Sequence, residues 1–167
     1  MRKALLTLLV LTCASAAAPV FVAQAVPTQI SEEAARASVA PFYDALTAAP
    51  GKDVIGLLRR ATAQDWVSCG ANDVCQPRDQ VIAAIAARHT AIPDLRWEIK
   101  DVLVSGNRVT VRGEASGTPA AEFLGVPHGG RSFRIMSIDV HTIDAGTITR
   151  SYHIEDWRSA VRQLSGG

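Results

Sequence analysis

The chain has little of what usually advertises a chemistry. Its 17 Lys and Arg nearly balance 16 Asp and Glu, and no basic run stands out. That argues against nucleic acid or an anionic membrane surface as a partner. The four histidines show neither H-x-H nor H-E-x-x-H spacing, so no metal site is supported. There is no G-x-S-x-G elbow and no phosphate-cradling glycine loop. Internal repeats and linkers are lacking too, so 167 residues read as one domain.

Long apolar runs are missing except at the start. Arg2 and Lys3 precede an apolar stretch from Ala4 to Ala18, and Pro19 and Gln24 interrupt the apolar run that continues beyond it. Ala23-Gln24-Ala25 then has the form of a cleavage site. The pattern predicts a signal peptide over 1–25 and a mature domain over 26–167, periplasmic or secreted, with no membrane partner after cleavage. A lipid anchor on Cys13 is the alternative. Without residues 1–25 the chain is close to neutral and long enough for a hydrophobic core.

Cysteine is equally scarce. Once Cys13 leaves with the signal, only Cys69 and Cys75 remain, in CGANDVC. A zinc pair would need a second Cys or His pair nearby, and a redox pair would need C-x-x-C spacing. An even pair across a turn in an exported chain reads as a disulfide.

What is present is a change of period. Ser31 caps a first helix carrying Val39, Phe42, Tyr43 and Leu46, with Pro41 expected to kink or restart it. Asp53 caps a second helix, and Pro77 opens a third with Val81, Ile82, Ile85 and His89 on one face. Asp65 to Ser68 is a short strand between them. From Leu95 the period becomes 2. Strands are expected at 95–104, 108–116, 131–143 and 147–154, followed by a helix over about 156–164. Leu95, Trp97, Ile99 and Leu103 share one face, with Asp101 as the exception. Helices followed by a meander give the α+β class, with a curved antiparallel sheet wrapped around the N-terminal helices as a cone.

Several stretches in this order resemble a known family. They are Phe42-Tyr43-Asp44, Asp65, Ile92-Pro93-Asp94-Leu95, Val104-Ser105-Gly106-Asn107-Arg108-Val109 and Ser116-Gly117-Thr118-Pro119. Phe123-Leu124-Gly125-Val126-Pro127, Ile138-Asp139-Val140-His141, Gly146-Thr147-Ile148, and Asp156 followed by Arg162-Gln163-Leu164 complete the set. Together they resemble the SnoaL-like polyketide cyclase, or ester cyclase, family of the nuclear transport factor 2-like superfamily. The resemblance implies a cone with an internal pocket and ring closure by intramolecular aldol condensation. It also implies a carboxylate on the last strand as general acid/base, with no metal and no cofactor. The matching carboxylate is Asp156, four residues after Tyr152.

The residues leave its role open. Simple alternation puts Asp156 in phase with Ile148, Tyr152 and Ile154, where it would face the pocket as a base. The same position makes it an N-cap of the last helix. His141 is the second catalytic candidate, and it shares a strand face with Asp139. Tyr152, His153, Asp139, Trp66 and Trp97 are the candidate substrate-binding residues. By the same alternation His153 would point outward. His89 reads as a core histidine and His128 as a loop residue. The expected activity is that of a cofactor-free cyclase or isomerase acting on a small hydrophobic carbonyl compound. The alternatives are a non-catalytic pocket protein and a homodimeric accessory domain using a sheet face as its interface.

Overall fold

A computed structural model describes residues 29–167, so the expected signal peptide over 1–25 and Cys13 lie outside the described residues. Helix α1 (Glu32–Leu46) begins at Ser31, whose hydroxyl accepts from the Ala34 amide at 3.1 Å. It runs unbroken through Pro41 instead of restarting there. The carbonyl that loses its partner belongs to Ala37, which is exposed, so water can satisfy it. The inward face presents Ala35, Val39, Phe42, Tyr43, Ala45 and Leu46. Helix α2 (Val54–Ala61) is capped by Asp53 through the Gly56 amide, and α3 (Arg78–Ala91) follows Pro77.

The strands are β1 (Thr62–Ala71), β2 (Val74–Pro77), β3 (Arg96–Ser105), β4 (Arg108–Gly117), β5 (Phe133–Asp144) and β6 (Thr147–Glu155), with α4 (Trp157–Ser165) last. They form one sheet in the order β2-β1-β6-β5-β4-β3. All neighbours are antiparallel except β1 and β6, which run parallel. The expected antiparallel meander is therefore a mixed sheet within the same α+β class. The short strand near Asp65 extends to ten residues because it lies against β6. The hairpin from β5 to β6 turns at Ala145 and Gly146, both at positive φ. Such backbone matches the twist of paired strands.

Two bulges decide which residues face inward. In β3 the register slips between Ile99 and Asp101. After the slip Val102 is buried and Leu103 is 63% exposed, which corrects its expected core position. In β6 the register slips opposite Thr142 and Ile143, so that Ile148 and Arg150 are both paired and Thr149 is the extra residue. Ile148 and then Ser151 are buried, which reverses the phase between them.

Cys69 and Cys75 are cross-strand partners and form a disulfide. Closing so short a loop contributes about 2 kcal/mol on the chain-entropy model. Reduction, or the paired Cys69→Ser and Cys75→Ser change, is expected to lower unfolding free energy by that amount. Denaturant midpoints with and without reductant measure it, and coincident curves would refute the contribution.

Candidate active site

The inward face of the sheet is not wholly apolar. Across β5 and β6, Ser137 opposes Glu155, Asp139 opposes His153, and His141 opposes Ser151. Asp139, His153 and Glu155 line a cleft of about 520 Å³, counted to its open mouth. Phe42, Leu46, Val81, Ile85 and Trp97 supply its apolar wall, and Ser68, Gln76 and Arg88 add polar groups.

Behind the cleft lies a buried hydrogen-bond chain. The Trp66 indole N–H donates to Ser151 Oγ at 3.0 Å. Ser151 Oγ lies 2.8 Å from His141 Nδ1, His141 Nε2 lies 3.1 Å from the Tyr43 hydroxyl, and Tyr43 donates to Asp139 Oδ2 at 2.9 Å. The donor order follows from chemistry. An indole can only donate, so Ser151 accepts there, and the Ser151 proton has His141 Nδ1 as its one acceptor among the described residues. Burial and then the charge of His153 push the His141 pKa down to about 3, so its ring is neutral. Its single proton therefore sits on Nε2 and faces Tyr43. The Tyr43 phenol is held protonated by burial and by neighbouring Asp139, and it donates onward to the carboxyl.

Asp139 is the chemical end of this chain. Burial pushes its pKa up to about 7 against the lowering hydrogen bond from Tyr43, with Glu155 raising it further and His153 lowering it. Oδ2 is taken by Tyr43, while Oδ1 has no partner among the described residues. No buried side-chain polar atom among the described residues lacks a partner, so Oδ1 must open to the cleft. Beside it, His153 Nδ1 lies 2.9 Å from Glu155 Oε1, and Glu155 Oε2 accepts from the Trp157 indole at 3.0 Å. The hydrogen bond to Glu155 raises His153 against the opposing effect of burial. Burial pushes Glu155 up, but the His153 and Trp157 hydrogen bonds and the charges of His153 and Arg88 outweigh it, leaving it below the usual range. The arrangement thus sets a carboxyl that changes charge near neutrality beside an imidazole biased towards its cation. That pairing suits proton transfer at carbon.

The sequence-derived candidates separate cleanly. Asp139, His153 and Trp97 line the cleft. Asp156 does not. It is exposed and caps α4, accepting from the Ser159 amide at 3.0 Å, and the Ser159 hydroxyl and amide hold its carboxyl below the usual range. Tyr152 is 40% exposed on the outer face of the sheet. Both misplacements have one cause, the bulge at Thr149, which also turns His153 inward. His141 and Trp66 are both 0% exposed and line none of the cleft; they lie in the hydrogen-bond chain behind Asp139. His89 and His128 bond to the Leu46 and Pro119 carbonyls. Sequence reasoning missed Tyr43, Arg88 and Glu155 as site residues. The alternation of Ser151, His153 and Glu155 along one strand was the available signal for the last.

A mixed sheet wrapped on helices, with a carboxyl buried in the cleft between them, is the nuclear transport factor 2-like α+β fold, also described as ketosteroid isomerase-like among its solved neighbours. Within that class the chain belongs to the SnoaL-like polyketide cyclase family, which matches residues 38–164. It is similar to IdmH of Streptomyces antibioticus, a proposed polyketide cyclase, at 26% identity and TM-score 0.65, covering 76% of this chain and 95% of that one. A proposed SnoaL-like polyketide cyclase from Jannaschia sp. CCS1 shares 18% identity with TM-score 0.69, covering 86% and 98%. AclR of Streptomyces galilaeus, a proposed hydroxylase, shares 19% identity with TM-score 0.64, covering 80% and 79%. No curated protein sequence matches the chain.

Proposed function

We propose that this protein is a cofactor-free cyclase or isomerase of small hydrophobic carbonyl compounds, with Asp139 as general base. The observation that carries the reading is a buried carboxyl, shifted to about 7, with one oxygen open to an apolar-walled cleft. Asp139 takes a proton from the carbon beside a carbonyl. His153, charged through Glu155, donates a hydrogen bond to the enolate oxygen. In a cyclisation the enolate carbon attacks a second carbonyl of the same molecule, and the new alkoxide takes a proton back from Asp139. Solvent deuterium incorporation alpha to the carbonyl of 1-tetralone, followed by proton NMR, tests the first step. Exchange above background that Asp139→Asn removes supports the reading. Exchange equal to that of the Asn variant overturns it.

Export with cleavage after Ala25 belongs to the same reading, and the Cys69–Cys75 disulfide supports it. We further propose a homodimer formed through the outer face of the sheet. There Met136, Tyr152 and Ile154 are 54%, 40% and 68% exposed beside Ile138 and Val140. A face so rich in apolar residues suits a second copy of itself. Native mass spectrometry of the exported protein reads both features. A mass beginning at Val26 and a dimer that Ile154→Lys dissociates are expected, whereas an uncleaved chain or a monomer would contradict the respective claim.

A further inference from the structure

Arg88 is not used by the chemistry above. It projects from α3 into the cleft, half-buried, with its guanidinium carbon 5.4 Å from the centre of the Trp157 ring. That cation–π contact holds the guanidinium against the ring face while its N–H groups have no protein partner among the described residues. Among the described residues this guanidinium makes no hydrogen bond and no ion pair. The one carboxylate close enough to influence it, Glu155, is already engaged by His153 and Trp157. Five donors on a half-buried cation without a partner call for an acceptor.

Two further polar groups share the cleft. Ser68 and Gln76 are cross-strand partners on β1 and β2, in register beside the Cys69–Cys75 disulfide. Neither side chain makes a hydrogen bond within the described residues. Ser68 is only 6% exposed, so its hydroxyl opens to the cleft rather than to the surface. The charges lining the cleft are Arg88 from α3, Asp139 from β5, and His153 and Glu155 from β6, whereas α1, β1 and β2 contribute none. Of the two basic groups, His153 is already engaged by Glu155, which leaves the Arg88 guanidinium as the cleft cation without a carboxylate among the described residues.

We infer that the cleft binds a ligand carrying a carboxylate, held by the Arg88 guanidinium with Ser68 and Gln76 as additional donors. A planar carboxylate fits the unengaged guanidinium fork. Phe42, Leu46, Ile85 and Trp97 take the apolar body. The inference rests on the reading of this cleft as the reaction site, and it narrows the carbonyl substrate to an aromatic or aliphatic keto acid.

A matched pair of probes tests it, 2-naphthoate and its methyl ester, titrated calorimetrically into the full mature protein at pH 6. The acid is expected to bind at least about tenfold more tightly than the ester. Arg88→Met removes that preference and leaves ester affinity within about twofold, since the charge alone distinguishes the probes. Should Arg88→Met fail to fold, Gln76→Leu at the exposed strand carries the test, and the preference falls by about threefold or more. Equal binding of acid and ester, no binding of either, or a preference that survives both changes overturns the inference. Failure of the catalytic reading looks different. Deuterium exchange would then be absent while the acid preference persists, in the Asp139→Asn protein as well.

Discussion

Asp139→Asn is expected to lower the rate of proton exchange by about 10²- to 10⁴-fold, the range for loss of a positioned general base. The fold is retained, because the Asn carbonyl oxygen still accepts the Tyr43 hydroxyl while its amide faces the cleft. The variant also shifts stability in a direction that a merely damaged protein would not. The Asp139 pKa rises from 3.8 to about 7 on folding. Its contribution is therefore fully present below about pH 3.8 and is lost as pH rises through about 7. Asn has no proton to lose, so the variant melts above the wild type at pH 8, and the gap closes towards pH 4. His141 is common to both proteins and largely cancels in the comparison. Asp156→Ala provides the contrast. It removes the cap of α4 and lowers the melting temperature by a few degrees, with exchange unchanged. Exchange by Asp139→Asn within threefold of wild type, or its loss in Asp156→Ala, would return the base to the helix cap.

Trp66→Ala carries the largest expected stability loss, about 3–5 kcal/mol. The indole is 0% exposed, and its ring meets Phe42 edge-on at 5.8 Å. Against a total of roughly 5–15 kcal/mol for a domain, this is a large share. Urea denaturation measures it, and a loss below about 1 kcal/mol would contradict the packing described. Trp66→Phe separates packing from proton order. It keeps most of the volume but removes the donor that fills one lone pair of Ser151. Ser151 can then accept from Nδ1, His141 Nε2 becomes an acceptor, and Tyr43 can donate to it instead of to Asp139. Without that hydrogen bond the carboxyl rises further, and the acidic limb of the pH–rate profile moves to higher pH in both variants.

Much of the fold could be read from period alone. The apolar spacing of α1 and the alternation of β4 and β5 reach the structure unchanged, because each has a single buried face. Asp139 and His141 could be placed on one face, though which face was inward could not. Met136, Ile138 and Val140 are the more apolar set, yet they face outward, since the inward set spends its polarity on Tyr43, Ser151 and the cleft. In β3 the out-of-phase Asp101 announced the bulge. In β6 nothing did, because Thr149 is as ordinary in a bulge as in a regular strand. The parallel pairing of β1 with β6 is likewise a property of the assembled sheet and leaves no local mark.

The extra residue at Thr149 reaches beyond this chain. A relative whose strand lacked this bulge, aligned onward from Ile148 without a gap, would have its cleft residues matched to Tyr152 and Ile154, the side chains that face away from the site. Roles transferred between homologues along that strand are therefore reliable only when the alignment is anchored on both sides of Thr149, at Ile148 and at Ser151. Deleting Thr149 would join Ile148 to Arg150 in a regular strand with Ile148 and Ser151 still inward, so His153 and Glu155 would keep the cleft and only the bulge would be lost.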